Sequence, residues 1–328
     1  MKPFAYVDAA NEKEIVAALV PERGRALPIG GGMDLLALMK DYVAQPDRLV
    51  NAKKLDRTIA RTADGGLRIG AAVTLTDLVQ HADAARMYPA LAHAAGEVGT
   101  PQIRNAGTVG GNLNQRPRCW YFRNEEFNCL KKGGARCFAV DGENQYHAIF
   151  GDGPCHIVHP SSLAVPAVAL GARFRVFGPA GEREIAAGDY FLMPDRNLFG
   201  ETVLAPNEIL THVILPPPGG ARSATYEVRF KQSHDWPLAT ASVALDMNGG
   251  AVRAARVVMG AVAPIPWRAP QAERALAGKA VTPEAAIAAA DAAVAGAKPM
   301  SGNAYKVHVA RTAVKRAIML AAGLQPNW

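Results

Sequence analysis

Residues 99–112 read GTPQIRNAGTVGGN, and residues 115–137 follow with QRPRCWYFRNEEFNCLKKGGARC. The first segment has closely spaced glycines, which leave the backbone open to the close approach of a ligand. The second segment carries all but one of the cysteines in the chain, and Cys155 follows soon after. We interpret this stretch as two neighbouring sites, with a nucleotide cofactor held by the glycines and a metal centre held by the thiolates.

The composition is that of a soluble globular protein of about two domains. The chain has 328 residues, of which 49% are hydrophobic and 20% are charged. No apolar run reaches the roughly 18 residues that a bilayer span requires, so no membrane insertion is predicted. The first residues, MKPFAYVDAANEKEIV, lack the apolar core and cleavage site of a signal peptide. On its own sequence the chain is therefore predicted to be cytoplasmic.

The net charge of +7 comes from 36 Lys and Arg residues against 29 Asp and Glu residues. Outside the segments 116–123 and 131–132 these charges are scattered, and no basic stripe with interleaved aromatic residues is present. Nucleic-acid binding is accordingly not predicted. A modest positive field suits anionic ligands or a more acidic partner subunit.

A second glycine-rich turn lies nearer the N-terminus. Residues 25–29 are predicted to form a strand that ends at Gly30-Gly31-Gly32, and a helix continues from Asp34. This arrangement exposes backbone N–H groups to a phosphate, although a tight strand-to-helix turn explains the same pattern. Two such loops in one domain favour diphosphate binding. Neither matches GxGxxG, so a single doubly wound dinucleotide site is not predicted.

Local patterns predict several further elements. Asn11 is expected to cap a helix with Glu14 completing the capping box, and short strands around it form a βαβαβ-like unit. The proline- and glycine-rich residues 216–220 indicate a domain boundary. Beyond it, Asn248-Gly249 is a hairpin turn signal within a group of strands. Three strands (224–231, 240–247 and 254–260) followed by helices predict an α+β layer.

The cysteines are spaced as Cys-x9-Cys-x7-Cys-x17-Cys. Structural zinc sites usually pair their ligands as Cys-x2-4-Cys, and this pairing is absent. An iron–sulfur cluster does not need it, so the context favours a cluster, with zinc or buried free thiols as alternatives. Residues 116–156 have no sustained periodicity but are rich in aromatic residues, which argues for a loop that is held in place.

Six motifs, spread in order over nearly the whole chain, resemble the FAD-binding medium subunit of molybdenum hydroxylases, the xanthine dehydrogenase and carbon monoxide dehydrogenase family. They are PIGGGMDLL (28–36), PQIRNAGTVGGNL (101–113), HPSSLAVPAVALGA (159–172), NEILTHVILP (207–216), YEVRFKQSHDWPLATASVAL (226–245) and GAVAPIPWRA (260–269). The sequences QRPRCWYFR (115–123) and DGENQYHAIFGDGPCHIVHPS (141–161) are most similar to the subgroup with an additional [4Fe–4S] cluster, the FAD subunit of periplasmic aldehyde oxidoreductases.

The resemblance implies an α+β fold with two domains. A two-lobed FAD-binding domain of the vanillyl-alcohol-oxidase/xanthine-dehydrogenase type would occupy residues 1–217, with lobes at about 1–55 and 56–217 and an iron–sulfur insertion at about 114–158. A smaller α+β flavoprotein domain with an antiparallel sheet would occupy residues 218–328.

The resemblance also implies the cofactor contacts. The FAD positions would be Ile29, Gly30, Gly31, Gly32, Met33, Asp34, Leu35, Gly99, Thr108, Val109, Gly110, Gly111, Asn112, Ser162, Leu210 and Lys231. The [4Fe–4S] ligands would be Cys119, Cys129, Cys137 and Cys155. Ser162 departs from the family, which usually has an FAD-contacting Asp there. No catalytic residue is expected in this chain.

The implied function is electron transfer in a heterotrimeric aldehyde oxidoreductase. A large molybdenum-cofactor subunit would oxidise the substrate, a small [2Fe–2S] subunit would relay electrons, and this chain would pass them to an external acceptor. The complex would be periplasmic if a partner subunit carried an export signal. Two alternatives are the corresponding subunit of a 4-hydroxybenzoyl-CoA reductase-like enzyme and a non-redox, zinc-stabilised adaptor.

Overall fold

The computed structural model describes residues 1–232 and 234–325. The helices are α1 Glu12–Ala18, α2 Leu35–Lys40, α3 Leu75–Gln80, α4 Ala82–Met87, α5 Pro89–Gly96, α6 Pro101–Ala106, α7 Val109–Leu113, α8 Trp120–Arg123, α9 Ala164–Ala169, α10 Ala187–Tyr190, α11 Pro270–Leu276, α12 Pro283–Val294 and α13 Tyr305–Ala321. The strands are β1 Ala5–Val7, β2 Ala26–Ile29, β3 Arg48–Asn51, β4 Ile59–Arg61, β5 Leu67–Gly70, β6 Arg173–Gly178, β7 Gly181–Ala186, β8 Ile209–Leu215, β9 Arg222–Val228, β10 Ala239–Asn248, β11 Ala251–Gly260 and β12 Trp267–Arg268. Within these described ranges, no helix has the length and apolarity needed to cross a bilayer.

The N-terminal lobe is a small parallel sheet in the order β1-β3-β2. Helix α1 begins as the capping box predicts. The Asn11 side chain accepts a hydrogen bond from the Glu14 N–H at 3.0 Å, and the Glu14 carboxylate accepts one from the Ala10 N–H at 2.9 Å. Ile15 and Val50 are fully buried between the helix and the sheet. The predicted βαβ-like unit is therefore confirmed.

The second lobe contains a five-stranded antiparallel sheet in the order β4-β5-β8-β6-β7. Its apolar face packs against the helices α3–α5 and α9, and the core contains Leu67, Ile69, Phe174 and Val213. Tyr190 is fully buried there, and its hydroxyl donates to the Asn114 side chain at 2.7 Å. This bond satisfies a polar group that would otherwise destabilise the core.

The C-terminal region is a four-stranded antiparallel sheet, β12-β11-β10-β9, covered by α11–α13. The predicted hairpin is present, with Asn248 paired to Ala251 across the turn Gly249-Gly250. The short fourth strand β12 was not predicted, because a two-residue strand has no periodicity. The observed antiparallel sheet and helices confirm the predicted α+β character of this region.

Residues 99–113 differ from expectation. Their glycine content predicts an open loop, but they form two short helices, α6 and α7, separated by Gly107 and Thr108. Thr100 caps α6 by accepting from the Ile103 N–H, and Thr108 caps α7 by accepting from the Gly111 N–H at 3.1 Å. The threonine hydroxyls satisfy N–H groups that glycine content alone suggested were open.

Candidate cofactor cleft and cysteine site

A cleft of about 550 Å³ is lined by residues of both N-terminal lobes and of the C-terminal region. The turn after β2 forms one wall, the α6–α7 segment forms another, and residues 234–237 close one side. The cleft therefore brings together segments that lie far apart in the sequence. Most of the predicted FAD positions line it: Ile29, Gly30, Gly31, Gly32, Met33, Asp34, Leu35, Gly99, Thr108, Gly110, Gly111, Asn112, Ser162 and Leu210.

The turn after β2 presents a row of backbone donors. Among residues 1–232 and 234–325, no group accepts a hydrogen bond from the N–H of residues 30–34. Successive free N–H groups in a turn form a concavity that suits an anion. Position 31 also requires glycine for packing, because a Cβ there would overlap the carbonyl oxygen of Ala106 in the facing wall. The turn therefore combines donor availability with close contact between the two lobes.

The α7 segment uses its donors internally. The N–H of Val109 donates to Val73 at 2.9 Å, and the N–H of Gly110 donates to Ala71 at 2.9 Å. A Cβ at Gly110 would lie 2.9 Å from the Cβ of Ala71, so this glycine allows α7 to approach the end of β5. The Val109 side chain lies in the core and not on the cleft wall. Glycine at position 110 is thus explained by the packing of α7. The sequence alone suggested instead that it allows a ligand to approach the backbone.

Lys231 also lies away from the residues that line the cleft. It is exposed on the loop after β9, whereas His234, Asp235, Trp236 and Pro237 of the same loop line the cleft. The imidazole of His234 donates from Nδ1 to the carbonyl oxygen of Gly99 at 3.0 Å, which ties the loop to the opposite wall. This long-range contact helps to decide which residues of the loop face the cleft, and a match to a sequence motif gives no information about such a contact.

Asp34 lines the cleft, and its carboxylate is engaged by the cysteine segment. It accepts from the backbone N–H of Arg116 at 2.7 Å and from the guanidinium groups of Arg118 and Arg123. Burial opposes ionisation, but Arg118 and Arg123 hold the pKa of this carboxyl below its ordinary value. The end of the glycine turn thereby anchors the segment that carries Cys119.

The four cysteines line one small cavity, although they are spread over residues 119–155. Aromatic and aliphatic side chains close it, and Cys129 and Cys155 are 6% and 5% exposed. Its volume of about 10 Å³ holds about one water molecule. Over the described residues, no group of three or more His, Cys, Asp or Glu side chains is arranged to hold a single metal ion.

The thiol donors suit a soft metal centre chemically. Burial raises the pKa of Cys119 to about 11. A hydrogen bond from Cys155 lowers the pKa of Cys137, and the same bond raises the pKa of Cys155. His147 lies beside them with Nε2 3.3 Å from the Cys119 sulfur, and burial lowers the pKa of this imidazole to about 4.

A buried ion-pair network lies between the cleft and the cysteine cavity. Lys131 lines the cavity, and its ammonium is 2.7 Å from Glu201, whose other carboxylate oxygen is 2.7 Å from Arg116. Glu201 and Arg116 line the cleft. The side chains of Lys131 and Glu201 are only 1% and 5% exposed, so this connection is weakly screened by solvent.

The C-terminal region holds the cysteine segment from the other side. The ammonium of Lys306, at the start of α13, donates to the carbonyl oxygens of Tyr146, His147 and Ala261. Asn303 donates to the carbonyl oxygens of His147 and Ala148. Burial lowers the pKa of Lys306 to about 7. Sequence periodicity places Lys306 on a helix but gives no sign that its charge is buried.

Glu227, which the sequence motifs do not single out, lines the cleft from near the end of β9. A charged residue between Tyr226 and Val228 in a strand was the available signal, since neighbouring side chains of a strand face opposite sides. Ser162, where the resemblance implies Asp, donates to the carboxyl group of Glu227.

The cleft and its donor-rich turn suit an anionic ligand of dinucleotide size, and comparison with known proteins identifies the family. A family described as "FAD binding domain in molybdopterin dehydrogenase" matches residues 2–218, and "CO dehydrogenase flavoprotein C-terminal domain" matches residues 224–321. The chain belongs to the FAD-binding medium subunits of the molybdenum hydroxylases, and it is an oxidoreductase subunit.

Individual relatives agree with this assignment. The chain is 36% identical to the aldehyde oxidoreductase FAD-binding subunit PaoB of Escherichia coli (strain K12), over 95% of this chain and 96% of that one. It is 29% identical to the carbon monoxide dehydrogenase medium chain of Hydrogenophaga pseudoflava, over 96% of both chains. A solved structure of carbon monoxide dehydrogenase from Hydrogenophaga pseudoflava superimposes with a TM-score of 0.77 at 30% identity and covers 98% of both chains.

Proposed function

We propose that this chain is the FAD and [4Fe–4S] electron-transfer subunit of a heterotrimeric, molybdenum-dependent aldehyde oxidoreductase, and that it passes electrons from a [2Fe–2S] subunit to an external acceptor. The observation that carries the proposal is the convergence of four cysteines on one buried cavity next to the cofactor cleft. The 36% identity to an aldehyde oxidoreductase FAD-binding subunit supports the substrate class.

The residues of the cleft suit FAD. The free N–H groups of residues 30–34 would bind the diphosphate, and the polar side chains of Thr108, Asn112 and Ser162 would face the remaining parts of the cofactor. FAD supplies exchange of electrons either in pairs or singly. The protein's contribution is to bind and orient the cofactor and to limit its contact with water.

The donor set of the cavity suits an iron–sulfur cluster, for which the ligands would be Cys119, Cys129, Cys137 and Cys155. The ammonium of Lys131 and the guanidinium groups of Arg118 and Arg123 would offset the negative charge of the thiolates. The aromatic residues Tyr121, Phe122 and Phe138 line the cavity and would exclude water. A low local dielectric and hydrogen bonds to sulfur are what set the potential of such a cluster.

The shared connections support transfer between two sites in one chain. Asp34 joins the glycine turn to the cysteine segment, and the Lys131–Glu201–Arg116 network joins the cavity to the cleft wall. Rigid supports of this kind would fix the spacing of two redox centres. Two exposed aromatic side chains, Trp236 at 50% in the cleft lining and Phe230 at 68% earlier in the same loop, would offer apolar surface to the large and small partner subunits.

The test is an absorption spectrum of the anaerobically purified chain, with iron, acid-labile sulfide and zinc measured on the same sample. We expect flavin bands over a broad iron–sulfur shoulder, with about four irons and four sulfides per chain. Cys119→Ser should lower the iron and sulfide content while FAD stays bound. The control is Ala148→Ser, a substitution at a buried position of the same segment that removes no thiol.

Flavin with zinc and without sulfide would reject the cluster and favour a structural metal. Unchanged iron and sulfide in Cys119→Ser would reject Cys119 as a ligand. Assembly is tested separately by co-expressing the chain with its large and small partners and measuring aldehyde oxidation with an artificial acceptor. Loss of activity on omission of this chain is expected only with acceptors that draw electrons from flavin.

A further inference from the structure

Glu227 is a buried acidic residue with an unused acceptor in the cofactor cleft. Its side chain is 2% exposed, and it lies near the end of β9. Its neighbours Tyr226 and Val228 pack toward the C-terminal core, so Glu227 lies on the opposite face of the strand, where it lines the cleft. Within residues 1–232 and 234–325, its Oε1 atom has no hydrogen-bond partner.

The groups around Glu227 do not satisfy it. The Ser162 hydroxyl donates one hydrogen bond to the carboxyl group. The Nε atom of Arg229 lies 3.7 Å from Oε2, but the Arg229 guanidinium is engaged by Glu97. Burial raises the pKa of Glu227 to about 7. A buried polar group without its full set of partners is costly, and native proteins usually supply the missing partner.

The chain belongs to an FAD-binding family, so the cofactor is a source of groups that could supply the missing partner. In its ionised form the Glu227 carboxylate would repel the diphosphate, whereas the free N–H groups of residues 30–34 on another wall would attract it. An acceptor oxygen requires a donor. The suitable groups of FAD are its hydroxyls, its exocyclic amine and its ring N–H.

We propose that Glu227, supported by Ser162, binds FAD by accepting a hydrogen bond from a hydroxyl, amine or ring N–H group outside the diphosphate. With the donor-rich turn on one wall and Glu227 on another, the cleft has two chemically opposite ends, and this polarity selects one orientation of the dinucleotide. The inference rests on FAD binding in the cleft and does not depend on the cysteine cluster.

The decisive variant is Glu227→Leu, which removes the acceptor and keeps a similar volume. FAD is titrated into the flavin-free full chain, and the dissociation constant is read from flavin fluorescence. We expect the dissociation constant to rise at least tenfold. The unfolding temperature of the flavin-free chain should stay equal or increase, because an apolar residue replaces an incompletely paired buried carboxyl. If the Glu227 carboxyl served only the fold, the variant would unfold at a lower temperature and would bind FAD with unchanged affinity.

Glu184→Leu is the matched control. Glu184 lies on β7 away from the cleft, and it is paired with Arg173 and Arg175 of β6. Its FAD affinity should be unchanged. Competition with riboflavin and with ADP then identifies which half of the cofactor supplies the donor. A loss of affinity for riboflavin alone assigns the flavin half, and a loss for ADP alone assigns the adenosine half.

Unchanged FAD affinity in Glu227→Leu overturns the proposal, as does an equal loss for FAD, riboflavin and ADP together with a lower unfolding temperature. A second measurement does not depend on the folding of that variant. Infrared difference spectra of the wild-type chain should show a carboxyl band that changes on FAD addition and is absent in Glu227→Gln. Normal FAD binding without such a band rejects the role of Glu227 and leaves the proposed function intact.

Discussion

The turn at residues 30–34 and the segment 107–112 are both glycine-rich and both line the cofactor cleft, yet they differ in what their backbone offers. The N–H groups of the turn have no acceptor in the described parts of the chain, whereas those of Val109, Gly110 and Gly111 are hydrogen-bonded to Val73, Ala71 and Thr108. Similar composition therefore produces an anion-binding surface in one place and a tightly packed wall in the other. The difference is that acceptors within the chain bind the N–H groups of residues 109–111, whereas over the residues that the structure describes no such acceptor binds the N–H groups of the turn.

The largest expected effect comes from breaking the contact between these two segments. In Gly31→Val, the new side chain would overlap the Ala106 carbonyl oxygen and push the turn away from the α6–α7 wall. We expect loss of bound FAD and a decrease of about 3 kcal/mol in the free energy of unfolding. Flavin content and thermal unfolding of the purified chain measure both.

The control is Gly188→Ala in α10, where no atom lies within 4 Å of the new Cβ. It should retain FAD and be neutral or slightly stabilising, because alanine favours the helix over glycine. If Gly31→Val kept FAD and stability as Gly188→Ala should, the contact between the two segments would have no role in forming the cleft.

A second, smaller effect should follow from Asp34→Asn, which disconnects the end of the donor-rich turn from the cysteine segment. The carboxylate loses charged hydrogen bonds with Arg118 and Arg123, so we expect a loss on the order of 2 kcal/mol at neutral pH. Because the pKa of Asp34 is lowered in the folded chain, its contribution is present above the ordinary carboxyl pKa and is lost as the pH falls through the folded value.

Denaturant unfolding of both chains across the acid range measures this dependence. The stability difference between wild type and Asp34→Asn should be largest near neutral pH and should shrink in acid. A difference that stayed constant with pH would show that the Asp34 charge does not anchor the cysteine segment.

The smallest effect is expected from the cap of α7. In Thr108→Val the Gly111 N–H loses its acceptor, which should cost about 1 kcal/mol of stability and free a backbone donor beside the cleft. FAD binding should weaken as well, since Thr108 lines the cleft. Thr282→Val removes the equivalent cap of α12, which lies away from the cleft, and should show the same loss of stability with unchanged FAD affinity. Equal FAD affinity in both variants would remove Thr108 from the site.

Several local features were predictable because their partners lie a few residues apart. The Asn11–Glu14 capping box and the Asn248–Ala251 hairpin depend on short-range hydrogen bonds and backbone preferences, and both are present. The threonine cap of α7 obeys the same local rule. Three glycines in the same segment favour an open loop by composition, so this cap does not stand out from the sequence.

The surroundings of Asp34 and Lys231 depend on contacts from distant parts of the chain. Asp34 is engaged by Arg116, Arg118 and Arg123, which come from the cysteine segment more than 80 positions later. Lys231 lies outside the cleft lining although its motif matches, and the His234–Gly99 bond ties the loop that follows it. Sequence periodicity and secondary-structure propensity do not determine which charged side chains pair with one another in the folded chain.

The amino-acid sequence by itself determined the family, the mixed helix and sheet composition and the segment in which the cysteines lie. These follow from motifs in order along the chain and from local hydrogen bonding. Tertiary structure alone decided that the cysteines share one cavity, that Gly110 serves packing, that Asp34 holds the cysteine segment, and that Glu227 is buried at the cleft. The physical reason is that burial and charge pairing depend on which remote segment covers a residue, and only the assembled lobes bring those segments together.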